Sequence, residues 1–175
     1  MVYSKTYNNV IDTLKNLGKE HNQITTTTSG DIWDIDLAKN TLFPLMHINP
    51  VNVQTGPSFL TYNLQIFIMD LVSEKTNWTQ ANFQSANNLS NEQEVLSQTL
   101  QICTDIIGML RHSKWQNNPM DVNEPIIFGE GEFSIEPFTE RFDNEVTGWV
   151  FSLPITTQYT FNTCVVPVEP NAILE

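Results

Sequence analysis

The stretch from Asn91 to Lys114, NEQEVLSQTLQICTDIIGMLRHSK, decides how the rest of the chain is read. Its apolar residues are Val95, Leu96, Leu100, Ile102, Cys103, Ile106, Ile107, Met109 and Leu110. Their recurrence at intervals of three, four and seven puts a broad apolar stripe on one helix face. Ser90 before it and Gln93 three residues on form a reciprocal capping pair for the first amides. Glu92 and Glu94 stand in the first turn, and Arg111, His112 and Lys114 in the last, as the helix dipole favours. Asn117-Asn118-Pro119 stops it. A helix with so wide a stripe needs a sheet or another helix to cover it, and strand-rich sequence lies on both sides.

The chain of 175 residues is expected to be one domain, 1–175, long enough for a sizeable core. Apolar residues make up 40%, with ten Phe, and no run approaches the ~20 residues that span a bilayer. The start of the chain has no signal-peptide core, so a cytoplasmic site of synthesis is expected. Cys103 and Cys164 have no CxxC or His spacing and read as buried thiols. The formal charge of −12, from 8 bases and 20 acids, argues against gripping nucleic acid, which needs a basic footprint.

Working outward, Tyr3, Tyr7, Val10, Ile11, Leu14 and Leu17 line a first helix, and Gly18 is placed to end it. His21 to Gly30, with four consecutive Thr, reads as a loop. Asp31, Asp34 and Asp36 are close together but lack the Gly and closing Glu of a calcium loop, so no metal is expected. Leu42 to Ile48 reads as a strand, its His47 packed or exposed rather than catalytic. Asn49 to Pro57 is a turn region around a short strand at Val51 to Val53. Phe59 to Val72 is the strongest strand. Leu60, Tyr62, Leu64, Ile66 and Ile68 form its apolar face; the other begins polar and turns apolar at Phe67, Met69 and Leu71. After the long helix come a short strand at Glu124 to Phe128 and a hairpin, Phe133 to Phe142 with Gly148 to Thr156, turning at Asp143-Asn144-Glu145. Cys164 to Val166 is a plausible last strand. The expected order is α-β-β-α-β-β-β, an α+β domain with an antiparallel sheet packed by two helices on one face.

Chemistry is scarce. The chain has no Gly-rich phosphate loop, GxSxG, HExxH or Cys beside a His, so no catalytic residue, cofactor or metal is assigned and the chain is not expected to be an enzyme. Two groups of short motifs point elsewhere. The first is Asp34-Ile35-Asp36, Phe43-Pro44-Leu45-Met46-His47-Ile48, Tyr62-Asn63-Leu64-Gln65-Ile66 and Met69-Asp70-Leu71-Val72. The second is Glu94 to Leu100, Glu136-Pro137-Phe138-Thr139-Glu140-Arg141-Phe142-Asp143-Asn144 and Gly148-Trp149. Together they resemble tailed-phage virion proteins of the neck or tail-completion class, a resemblance that covers roughly residues 31 to 166. These include tail-terminator-like ring proteins of crAss-like and related phages. The resemblance implies a tail-terminator-like fold and a homo-oligomeric ring of six or twelve copies between head and tail. Such a ring would sit in the virion against neighbouring neck or tail proteins, with double-stranded DNA passing through its channel and no membrane contact.

Eight acids and a single base, Arg141, lie between Asp121 and Glu145. Strand alternation would put Glu130, Glu132, Glu136 and Glu140 opposite Phe133 and Ile135. In a ring these carboxylates are candidates to face the channel, keeping a duplex mobile by like-charge repulsion; otherwise they are a solvated outer face. Trp78 and Phe83, in the polar stretch 73–89, are packed locally or anchor a partner. Strand edges near Pro44 and Pro137 could pair with a neighbouring subunit. Two other classes stay open: another virion adaptor, baseplate or assembly protein, and a small enzyme or ligand-binding domain.

Overall fold

The structure, a computed structural model, describes residues 7–32, 42–72, 91–111, 127–128, 132–141 and 145–158. Among the described residues two helices and six strands follow one another as α1 (Tyr7–Glu20), β1 (Thr26–Ser29), β2 (Leu45–Thr55), β3 (Phe59–Leu71), α2 (Glu92–Arg111), β4 (Ile127–Phe128), β5 (Ile135–Arg141) and β6 (Glu145–Gln158). The strands form one sheet in the order β1-β2-β3-β6-β4, with β5 alongside β6. The fold is α+β, and the sheet is mixed rather than antiparallel throughout.

The difference lies in β1, within the stretch that sequence reads as a loop. Thr26 to Ser29 runs parallel to Leu45–Ile48. Branched Thr side chains suit an extended, half-buried backbone, and the Pro44 carbonyl begins the junction by accepting from the Thr25 amide at 2.9 Å. The separate short strand expected at Val51 to Val53 is instead the far half of β2, continuous with its first half through a bulge between Pro50 and Asn52. Phe59 to Leu71 then returns antiparallel along the whole of β2, and β6 pairs with β3 from Phe59↔Gln158 to Leu71↔Val146.

Both helices lie on one face. Val10, Ile11, Leu14 and Leu17 of α1 join Ile102, Cys103, Ile106, Ile107 and Leu110 of α2 over Met46, Ile48, Leu64, Ile66, Ile68, Phe151, Leu153 and Ile155. Each fully buried aliphatic side chain contributes about 1.5–3 kcal/mol, so this layer is the main source of stability. Gly18 does not end α1. It sits inside the helix, where a Cβ would stand 2.6 Å from Thr27 Cγ2 and 2.7 Å from Met46 Sδ. Its lack of a side chain is what lets α1 settle on the sheet.

The α2 stripe is rotated from the one read in sequence. Thr99 is fully buried, its hydroxyl donating to the Val95 carbonyl at 2.6 Å, while Leu96 and Leu100 are only half-buried. Trp149 locks the register of helix on sheet: its indole N–H donates to the Leu96 carbonyl at 2.7 Å. At the far end Phe133 packs edge-on against Phe151, centroids 6.0 Å apart, with the Arg111 guanidinium 5.4 Å from its ring centre. The capping role of Ser90, the second sequence-level signal for this helix, lies outside the described residues, as do His112 and Lys114; the first turn hydrogen-bonds to the Asn91 carbonyl.

Candidate functional site

The sheet face turned away from the helices changes character along its length. At one end Leu45, Met69 and Val146 are buried beneath Ile32, Phe43, Phe67 and Phe138. The Phe67 and Phe138 rings meet edge-on at 5.3 Å. At the other end the face is made of amides and hydroxyls that bond one another across strands. Asn49 donates to Gln65 at 3.2 Å, Asn63 to Asn52 at 2.7 Å, and Thr61 meets Thr156 at 3.1 Å.

That polar end belongs to the tip of the β2–β3 hairpin. From Pro50 to Thr55 every residue of β2 is exposed, whichever way its side chain points. Val51 and Val53 stand 53% and 50% exposed. Charge is missing there too. Between Lys39 and Asp70 the sequence has no Asp, Glu, Lys or Arg, in a chain where 16% of residues are charged. A solvated strand pair usually carries charges; interface centres are depleted of them.

The two long edges of the sheet differ. β1 stops at Ser29↔Ile48, so Val51 to Thr55 have no strand on their outer side among the described residues. On the opposite side β5 carries Pro137, which has no amide hydrogen, and the exposed Glu136. Proline and acids on an edge strand discourage further pairing.

The acids singled out from sequence distribute as follows. Glu136 is exposed on the face opposite Phe133 and Ile135, which pack towards the helix-side core. Glu132 is exposed just before β5, and Glu140 pairs in register with Val146. Phe138 shares the Glu136 face and packs on Phe67, so that face is not polar throughout. Glu130, Trp78 and Phe83 lie outside the described residues.

Of the other chemistry-bearing groups, His47 is buried, with Nδ1 2.8 Å from the Thr28 hydroxyl and Nε2 3.1 Å from the Gly30 carbonyl. A carbonyl can only accept, so Nε2 donates to it, and the ring ties β1 to β2. His21 reaches Asp105 at 3.4 Å and joins the two helices. Burial pushes the Cys103 thiol up to about 12, which keeps it protonated and unreactive. Cys164, Asp34 and Asp36 are outside the described residues; among those described, no group of His, Cys, Asp or Glu is placed to hold a metal ion. No described helix is long and apolar enough to cross a membrane.

Sequence reasoning placed the contact surface at Trp78, Phe83 and the edges near Pro44 and Pro137. The Pro44 edge is covered by β1, and the exposed surface lies instead at the hairpin tip. Its signal, a charge-free run, acquires meaning only with exposure. No protein-family model matches the chain, and no curated protein matches it.

Proposed function

We propose that this chain is a structural subunit that assembles with copies of itself, as a tail-terminator-like ring of the head-to-tail joint of a tailed phage. The observation that carries the self-assembling part is the β2 half of the hairpin tip, exposed at every residue from Pro50 to Thr55 yet free of charge in a chain of net charge −12. Copies that each carry so many carboxylates repel one another unless they meet through neutral surfaces. The phage setting rests on the resemblance of the motifs between residues 31 and 166. In that reading the ring has six or twelve copies, neighbours in the neck or tail, and a channel through which double-stranded DNA passes without specific binding. The subunit contributes shape and electrostatics rather than catalysis.

Acids of the β5 region, Glu130, Glu132, Glu136 and Glu140, suit a channel wall, because repulsion acting over a Debye length of ~8 Å keeps phosphates from settling. Mass photometry of the purified chain at increasing concentration, with electron microscopy of the species formed, tests the assembly. A closed ring of defined order is expected. A chain that stays monomeric at all concentrations refutes the reading.

A further inference from the structure

We infer that the outer edge of β2 from Val51 to Thr55 is a docking strand for the same edge of a second copy of this chain, the two running antiparallel about a two-fold axis. The edge is the one long run of described sheet backbone that is solvent-exposed, unpaired and uncharged. Its own sequence is complementary to itself. Centring the pairing on Val53 places Val53 against Val53, Asn52 against Gln54 and Val51 against Thr55. No like charges face each other, and the amide side chains can exchange hydrogen bonds as Asn52 and Asn63 already do within one copy.

A second copy suits this edge better than the opposite one does. Pairing β5 with β5 would bring two Glu136 side chains together and leave the backbone positions opposite Pro137 without a donor. Pairing β2 with β2 uses up the exposed β2 run of both copies at once. Each outer side of the doubled sheet then carries the guarded β5 beside the two-residue β4. The other described edge is the outer side of the four-residue, half-buried β1, so no long exposed edge remains for growth into a fibre. Pro50 and the bulge beside it fix where pairing begins, since they separate the half of β2 occupied by β1 from the free half.

A two-fold axis normal to the sheet keeps the helices of both copies on one side. There Tyr7, 40% exposed, packs at a tilt on the buried Tyr62, their centroids 6.4 Å apart, and Tyr62 is the register partner of Val53. Tyr7 and Val53, exposed on either side of the buried Tyr62, thus give each copy apolar surface near the docking edge that extends the contact beyond backbone pairing. This inference rests on the same uncharged tip as the self-assembly reading and assigns it to a two-fold contact, so a head-to-tail ring would use a second surface. Added to a head-to-tail ring, it would join two rings back to back.

Sedimentation velocity of the full chain, over a range of concentrations, compares the parent with Val53→Lys and Gln54→Lys. Both positions are exposed, and circular dichroism confirms that each variant is folded. The parent is expected to populate the two-copy contact, and each Lys variant to sediment at half the parent's mass. In parallel, Val53→Cys under mild oxidation is expected to form a disulfide-linked dimer above the background set by the parent's own cysteines. Variants that keep the parent's mass, or a Val53→Cys chain with no added cross-link, overturn the inference. The two readings separate cleanly. Rings unchanged by the Lys substitutions sink the two-fold edge and leave the ring. A parent that stops at two copies, reduced to one by Val53→Lys, sinks the ring and leaves the edge. A parent that is monomeric throughout sinks both.

Discussion

Replacing Phe151 by Ala tests whether the helix-side layer is the core. Phe151 is 1% exposed, among the largest buried side chains, and lies opposite Ile66 on one side and Ile135 on the other. Removing the ring forfeits its transfer free energy and leaves a cavity between strands that hydrogen bonds hold in place. The two effects together cost about 3–5 kcal/mol. For a domain of this size each kcal/mol moves the melting midpoint by about 2–4 °C, so a fall of roughly 10 °C is expected.

Part of that loss is specific to one neighbour. The edge-on pair with Phe133, centroids 6.0 Å apart, is worth about 0.5–1.5 kcal/mol beyond area burial. Urea unfolding of Phe151→Ala, Phe133→Ala and the double variant isolates it. The double variant should be less destabilised than the two singles added together, by about that amount. Strict additivity would show that the two rings do not touch in solution. A loss below about 1 kcal/mol for Phe151→Ala alone would refute the core assignment.

Gly148→Ala should be severe, because its Cβ would collide with the Ile68 carbonyl oxygen and stand 2.8 Å from Met69 Cα, both backbone atoms that cannot move aside. A loss of at least about 2–3 kcal/mol in denaturant titration is expected, and a neutral result would contradict the β3–β6 spacing. Trp149→Phe removes the indole bond to Leu96 and should cost about 1 kcal/mol by thermal melt. Burial raises Asp70 above its ordinary value of 3.8, against a smaller lowering by the Leu71 amide. The folded state therefore holds this proton more tightly than the unfolded one, and stability falls as pH rises from the ordinary value through the raised one. Asp70→Asn should remove that part of the pH dependence, as read from melting midpoints across the acidic range. If the β5 acids line a channel, replacing Glu130, Glu132, Glu136 and Glu140 by Lys should give particles that eject DNA slowly, with the defect relieved by salt; normal ejection would leave these acids as ordinary solvated surface.

The elements legible in the sequence are those whose periodicity is enforced by burial. The α2 stripe and the alternation along Phe59 to Leu71 both face the same core, so their apolar spacing reports the fold directly. Even the change from Gln65 to Met69 on the second face marks where that face becomes covered. Thr26 to Ser29 gave no such signal, because Thr serves a half-buried strand and a loop alike. Its pairing depends on Leu45 to Ile48, far off in sequence. Gly18 misled for a related reason: a glycine near a helix end fits a cap, and only the position of Met46 across the interface shows that it makes room.

The docking edge is the sharper case, since its sequence signal was in plain view. A run without charge from Lys39 to Asp70 means little if the strands are buried, where charge is excluded anyway. Within that run β2 has two parts: Leu45 to Ile48 are covered on both faces. The part from Pro50 to Thr55 is equally free of charge and has no burial to account for it. What separates the halves is the length of β1, four residues that stop where β2 passes Ile48. A longer β1 would have hidden the edge and made the missing charge unremarkable. Exposure thus turns the absence of charge from a consequence of folding into a constraint that folding does not impose. Contact with another uncharged strand is the constraint that fits, because water alone would tolerate a lysine at Val53.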